Sequence, residues 1–326
     1  TTRAFVNVMS IYTNLFITQL LIKYNIYFNI FMDFKIIIVS YRSLPKLEKC
    51  ISYLGNSHKV IVIENSNNTA IKENIEKKFS FCEVVINDKN LGYGAAANIG
   101  YKKINTDFVL LINTDTLINE SEINEIKNEI IKNGHDFALA SPIYDDLIDF
   151  SKNNEFDKNF IKTELNYKNT NNREKVEVIK GCSLIINCKK IPDDKLFDDN
   201  YFFFYEEIDL CKRVKDLNEN IYVFNKIKIK HGNAEALDGD SKLKYDDFRN
   251  WNYYWSRFYY HKKHYGFSKS FLLNFSKLIR FFFNTCFMYP FSKKKFRTNK
   301  YRFLGLISAI LNIKSSRSDK ILNKEE

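Results

Sequence analysis

No two of the six cysteines stand in a C-x-x-C pair, so the chain shows neither a zinc knuckle nor a dithiol redox centre. Cys50, Cys82, Cys182, Cys188, Cys211 and Cys286 mostly lie inside apolar runs and read as small buried hydrophobes. That usage points to a reducing compartment, the cytosol. No apolar run approaches the roughly 20 residues that span a bilayer. Residues 4–31 are apolar and aromatic but broken by Asn7, Asn14, Gln19, Lys23, Asn25 and Asn29. No small-residue cleavage site follows them, which argues against a signal peptide. Internal repeats are absent, and so is any nucleic-acid recognition motif. The basic residues are dispersed rather than confined to a stripe, so nucleic acid is not an expected partner.

What is present supports an enzyme of ordinary size. With 326 residues, 45% of them hydrophobic, the chain can bury one α/β domain of about 230–250 residues plus an appendage. The formal charge of +11 favours anionic partners, nucleotide phosphates or a phospholipid surface among them. An AT-rich genome, with its excess of Lys and Asn, would give the same balance. The chain opens on Thr1, whereas Met32 directly precedes an ordinary first strand. We therefore expect residues 1–31 to be an upstream extension, with a weak membrane anchor as the rival reading.

Lys35–Val39, Val60–Ile63, Glu83–Ile86, Phe108–Ile112 and Phe137–Ala140 are short apolar runs of the kind that strands buried on both faces require. Between them lie helical patterns: Leu44, Leu47, Ile51 and Leu54 behind Pro45, the small-residue stretch Gly92–Lys103, and Ile123, Ile126 and Ile130. Strands alternating with helices predict a mostly parallel sheet. Residues 144–175 turn polar. Order returns at Val176–Ile186, followed by a helix at Leu210–Leu217, an alternating strand at Ile221–Ile229 and a long aromatic helix at Tyr245–Tyr265.

Ligands of open α/β sheets bind beyond the carboxyl ends of the strands. Those positions here hold Ser40-Tyr41-Arg42-Ser43, Glu64-Asn65-Ser66, Asn87 to Gly94, and Asn113-Thr114-Asp115. Turn chemistry alone uses such residues, but four polar strand ends in succession favour a site. Asp115 follows an apolar strand directly, where a carboxylate can hold Mg²⁺ or Mn²⁺ together with substrate phosphates; a helix N-cap is the plainer role. Glu206-Glu207-Ile208-Asp209 crowds three acids behind the aromatic run Tyr201–Tyr205. Crowding raises carboxyl pKa values and suits general-base work, while the helix dipole also favours acids at a helix start. His231 ends the alternating strand and matters only if the fold brings it to Asp115.

In this order the motifs resemble glycosyltransferase family 2, and within it the rhamnosyltransferase-like bacterial subgroup. They are Val39-Ser40-Tyr41-Arg42, Glu64-Asn65-Ser66, Asn90-Leu91-Gly92 running on to Asn98 and Gly100, Asn113-Thr114-Asp115, Phe204 to Arg213, and His231. The resemblance covers roughly residues 34–266. It implies a GT-A fold, a nucleotide-diphospho-sugar donor and inversion at the anomeric carbon. On that basis Ser40, Tyr41, Glu64, Asn90, Gly92, Asn98 and Asn113 are the expected donor-side residues. Asp115 is expected to hold a divalent cation with His231 as a further ligand. Glu207 is the expected base, with Glu206 and Asp209 on the acceptor side. Glu64, Asn113 and Glu207 each replace an aspartate frequent in the family, which keeps an inactive binding protein of the same fold as the alternative. A sugar-phosphate nucleotidyltransferase would show a Gly-rich loop where Ser40-Tyr41-Arg42-Ser43 stands.

Residues 269–313 concentrate Phe271, Leu272, Phe275, Leu278, Ile279 and Phe281 to Phe283, punctuated by Lys269, Lys277 and Arg280 and followed by Lys293 to Arg297. This predicts a C-terminal amphipathic helical extension over 267–326 that lies on an anionic membrane face; a core helix closing the domain is the competing reading. A glycan or polyprenyl-linked acceptor, implied by the resemblance, would place the protein peripherally at the inner face of the cell membrane.

Overall fold

The computed structural model describes residues 34–133, 136–144, 172–191, 195–232 and 239–322. The expected extension at 1–31, the start at Met32 and most of the polar excursion at 144–175 lie outside the described residues. The strands are β1 (Phe34–Ser40), β2 (Val60–Glu64), β3 (Cys82–Ile86), β4 (Phe108–Asn113), β5 (Thr116–Leu117), β6 (Phe137–Tyr144), β7 (Arg173–Lys175), β8 (Ser183–Asn187) and β9 (Asn220–His231). They run in the order β3-β2-β1-β4-β8-β6-β9-β5, with β7 on β9. The run β3-β2-β1-β4 is parallel throughout. β8 then enters antiparallel between β4 and β6, and β6 pairs parallel with β9.

The continuous apolar runs have a simple cause. Ile36 and Ile38 of β1, like Leu110 and Ile112 of β4, face one hydrophobic cluster, while Ile37, Val109 and Leu111 face another on the opposite side. Period-2 alternation within a sheet covered on both faces makes every position apolar. Helices α1 (Leu44–Leu54), α2 (Thr69–Lys78), α3 (Tyr93–Lys102), α4 (Glu120–Asn133) and α5 (Glu206–Asp216) supply the cover. The small residues of α3 let it lie close to the sheet: a Cβ on Gly100 would come within 2.8 Å of Ile37 Cγ2.

Beyond β9 the chain becomes helical: α6 (Gly239–Tyr265), α7 (Phe267–Phe287), α8 (Lys293–Ile310) and the short α9 (Asp319–Leu322). Gly266, with φ of 83°, turns α6 into α7. Trp251, Tyr254, Trp255 and Phe258 of α6 pack on Phe281 of α7 and Leu306 of α8. At Gly305 the α8 backbone meets α6 so closely that a Cβ would stand 2.1 Å from the Trp251 carbonyl oxygen. After α8 the chain folds back. Trp255 donates to the Ile313 carbonyl at 2.7 Å, Ser315 to the Asn200 carbonyl at 2.6 Å, and Asn90 Nδ2 to Asp319 Oδ1 at 2.8 Å. The tail is thereby tied to the turn before α3.

Candidate active site

The carboxyl ends of β1, β2 and β4 and the first turn of α5 frame one polar region. Ser40 Oγ, Glu64 Oε2, Asn113 Oδ1, Asp115 Oδ1, Ser183 Oγ and Glu206 Oε2 are buried there without a hydrogen-bond partner. Proteins satisfy nearly all such atoms, so their concentration at one edge of one sheet marks a place built for a ligand.

The β2 end is shaped by Glu64 and Asn65. Glu64 is fully buried, and its Oε1 accepts the Arg42 N–H at 3.2 Å and the Ser66 hydroxyl. Arg42 adopts φ of 50°, and its guanidinium lies 5.3 Å from the Tyr41 ring centroid. Asn65, absent from the expected site residues, knits the loop after β3 to the sheet. Its Nδ2 donates to Asn90 Oδ1 at 2.9 Å and to the Gly92 carbonyl at 3.2 Å, while its Oδ1 accepts from Asn87 Nδ2 and Leu91 N, both at 3.0 Å. Asn90 Oδ1 also accepts the Gly92 N–H at 3.0 Å. Asn98 lies on α3, and its Nδ2 donates to the Phe197 carbonyl at 2.8 Å and to Asp199 at 2.7 Å. The structure thus brings Ser40, Tyr41, Glu64, Asn113 and Asp115 to the strand ends, places Asn90 and Gly92 in the adjoining turn, and sets Asn98 against residues 197–199.

Gly92 is where that turn meets the acidic motif. With φ of 86°, it would place a Cβ 2.4 Å from the Phe202 carbonyl oxygen, and Tyr93 N–H donates to the same oxygen at 3.1 Å. Gly92→Ala must displace residues 201–205 and strain the backbone, a loss of roughly 2–4 kcal/mol. Thermal denaturation should show a clearly lower midpoint; an unchanged Tm would refute this close approach.

Asp115 and His231 are brought together by β5, too short to read from sequence. Thr116 pairs with His231, the Gly232 N–H donates to the Asp115 carbonyl at 2.6 Å, and His231 Nε2 stands 3.6 Å from Asp115 Oδ1. Cys50 of α1 donates to the Thr116 carbonyl at 3.2 Å from beneath; burial, then the Asp115 charge, push its thiol up to about 12. Among the described residues no three His, Cys, Asp or Glu side chains group to hold a metal ion. The Asp115–His231 pair would suit a hard divalent cation, and Asp115 Oδ1 and Asn113 Oδ1 are buried without a hydrogen-bond partner beside it.

The acids of α5 divide. Tyr205, the residue before the helix, and Phe204 adopt φ of 72° and 70°. Two bulky residues in the left-handed region store strain of about 1–3 kcal/mol each. They turn the chain so that Glu206 and Glu207 open α5. Burial, then the charge of Glu207, hold the Glu206 carboxyl well above the usual range; burial raises Glu207 too. Of these two only Glu206 is closed off, Glu207 being half-buried. Gly181 leaves room beside it, since a Cβ there would lie 3.4 Å from Glu207 Cβ. Tyr93 stands between the two halves of the site. Its hydroxyl donates to the Gly181 carbonyl at 3.0 Å, and burial followed by the charges of Glu206, Glu207 and Asp115 raises it.

Asp209 is engaged elsewhere. It accepts from Arg213 Nε at 3.0 Å, one turn along α5, and from Lys263 at 2.9 Å, and it contacts His264 at 2.8 Å. Burial pushes its carboxyl up, but the His264 and Lys263 hydrogen bonds and the neighbouring charges prevail and leave it at about 2. A carboxyl depressed in the folded state adds stability above its unfolded value near 4, and that stability is lost as pH falls through about 2. Asp209→Asn is expected to lose roughly 2–3 kcal/mol at neutral pH, because it removes the buried carboxylate that Arg213 and Lys263 share. Urea unfolding at pH 7 and at pH 3 should show the difference narrowing on the acid side; an equal difference at both would contradict this balance.

Comparison with known proteins points the same way. Residues 35–186 match the model of glycosyl transferase family 2. This stretch of the chain is similar to that family. The low-salt glycan biosynthesis hexosyltransferase Agl10 of Haloferax volcanii is 23% identical over 236 residues, 67% of this chain and 74% of that protein. The mannosyltransferase PcManGT of Pyrobaculum calidifontis, solved in complex with GDP-Man and Mn²⁺, aligns at a TM-score of 0.52 and 10% identity, covering 86% of this chain and 87% of that one. At that identity the likeness is one of fold, and the fold is GT-A. The molecule is a glycosyltransferase whose mixed sheet is parallel on the side that carries Ser40, Glu64 and Asp115.

Proposed function

We propose that this glycosyltransferase moves a hexose, rhamnose being the sugar suggested by the subgroup resemblance, from a nucleotide-diphospho-sugar onto a glycan or polyprenyl-linked acceptor, with inversion, in cell-surface glycan synthesis. The observation that carries the reading is the set of buried, unpartnered polar atoms along the carboxyl ends of β1, β2 and β4. Ser40, Tyr41 and Glu64 would line the nucleoside pocket, beside Asn113 and the turn at Asn90 and Gly92. Asp115 and His231 would hold Mg²⁺ or Mn²⁺, which when bound neutralises charge on the leaving diphosphate. Glu207 would take the proton of the acceptor hydroxyl as it attacks, and Glu206, kept neutral by burial, would leave Glu207 the ionised member of the pair. Purified protein incubated with labelled nucleotide-sugars and a prenyl-diphosphate-linked sugar should yield an elongated product. Donor binding without transfer to any acceptor would favour the inactive binding protein instead.

The division of labour we infer has residues 32–266 carrying the chemistry and 267–326 the attachment to the membrane. Among the described residues no helix is long and apolar enough to cross a membrane. α7 instead buries Ser270, Asn274 and Phe281 and leaves a face of large apolar groups in water: Leu272 is 74% exposed and Phe287 61%, with Phe275, Ile279, Phe282 and Phe283 between them. Phe291, 80% exposed, and Tyr289 extend the face into the turn before Lys293, Lys294 and Lys295. An apolar face flanked by Lys269, Lys277, Arg280 and this lysine run suits the interface of an anionic bilayer. The six free cysteines agree with a cytoplasmic side. Phe275→Glu with Phe283→Glu should cut sedimentation with anionic vesicles at least tenfold while leaving the melting temperature unchanged, and salt should weaken the wild-type interaction. Undiminished sedimentation of the double variant would remove α7 from the contact.

A further inference from the structure

Tyr245, Arg249 and Tyr253 follow one another at i, i+4 and i+8 along α6 and so share a face. At one end the Tyr245 ring stacks on Phe248, centroids 6.4 Å apart. The other end packs on the strained turn before the acids: the Tyr253 ring lies 5.9 Å from Phe204 and 5.6 Å from Tyr205, both edge-on. Arg249 sits between. Its guanidinium is 5.8 Å from the Tyr245 ring centroid and 5.9 Å from that of Phe204. Arg249 is exposed, and among the described residues it forms no ion pair.

Two ring faces within reach of the cation leave its formal charge unbalanced. The planar fork of a guanidinium suits two-point recognition of a phosphate. The position is also informative. Arg249 lies one helical turn, about 6 Å, beyond Tyr245 in the direction of Phe204, Tyr205 and the acids. The Asp115–His231 pair serves the donor's diphosphate in the reading above. An anion held by Arg249 would therefore be a second one, on the side from which an acceptor reaches Glu207. The rings of Tyr245 and Phe204 offer apolar faces to a sugar or to the first carbons of a lipid.

We infer that Arg249, flanked by Tyr245 and Phe204, is a subsite for the phosphate of a prenyl-phosphate-linked acceptor. This rests on the glycosyltransferase reading for what carries the phosphate; the presence of an anion subsite does not. The test is calorimetry on the full chain with geranyl diphosphate, geraniol and, separately, UDP and GDP in Mn²⁺. Wild type should bind geranyl diphosphate and bind geraniol far more weakly. Arg249→Gln should weaken geranyl diphosphate at least tenfold, Arg249→Lys should restore part of that loss, and nucleotide affinity should not move. Weakened nucleotide binding with geranyl diphosphate unaffected would overturn the assignment and give Arg249 to the donor. Absence of geranyl diphosphate binding in wild type, or equal binding in Arg249→Gln, would also overturn it. Arg249-dependent binding in a chain that transfers no sugar would uphold the subsite while removing the functional reading.

Discussion

Glu207→Gln is expected to lower sugar transfer by roughly 10²-fold or more, the usual scale for a general base, while donor affinity stays within about twofold. The glutamine keeps the shape that fills the space beside Gly181 and removes only the basic carboxylate. The direction of the pH dependence follows from the same group. Burial raises the Glu207 carboxyl, so its proton leaves at a higher pH than from an ordinary glutamate. Below that point the base is occupied and transfer is slow, and the rate climbs as pH rises through it. The ascending limb of kcat should therefore lie on the alkaline side of 4.5, the ordinary value, and should disappear in Glu207→Gln. Asp209→Asn provides the contrast: it should lower stability far more than the turnover of the molecules that remain folded. Near-normal turnover in Glu207→Gln with collapse in Asp209→Asn would move the base to Asp209.

Asp115→Ala should abolish metal-dependent donor binding, a loss of at least 10²-fold in affinity for a nucleoside diphosphate in Mn²⁺. The fold should persist, because the Asp115 backbone carbonyl, not its carboxylate, accepts the Gly232 N–H. His231→Ala should give a smaller loss, since it removes one ligand and leaves the carboxylate. Titration of Mn²⁺ by electron paramagnetic resonance, with and without nucleotide, reads this directly. Unchanged metal and nucleotide binding in Asp115→Ala would refute the assignment.

How far the sequence alone leads depends on the kind of contact. Strands β1, β2, β3, β4 and β6 are legible because double-sided burial leaves an unbroken apolar signature, and the polar residues that follow β1, β2 and β4 are local to those runs. The direction of β8 was not legible, because an apolar run looks the same in either orientation. Helix α2 was missed; its few buried positions, Ile71 and Ile75, leave too thin a stripe. Long-range pairing was hidden for a different reason. His231 meets Asp115 through a two-residue strand, too short to carry any periodicity. Tyr93 read as the start of a small-residue helix, although it stands among three acids contributed by two distant segments. Ser183 and Tyr245 likewise gain their meaning only from neighbours far along the chain. Asp209 was the better case, since its brace to Arg213 is an i, i+4 pair and therefore local.

Binding of a nucleotide-diphospho-sugar and a divalent cation at the polar edge of the sheet can be read by thermal denaturation of the purified chain against a panel of nucleotide-sugars, in Mn²⁺ and in EDTA. At least one donor at 100 times its Kd should stabilise the wild type by about 2.7 kcal/mol in Mn²⁺, with little effect in EDTA and none in Asp115→Ala. No shift with any donor, or equal shifts in EDTA and in Asp115→Ala, would show that this edge is not a metal-dependent donor site.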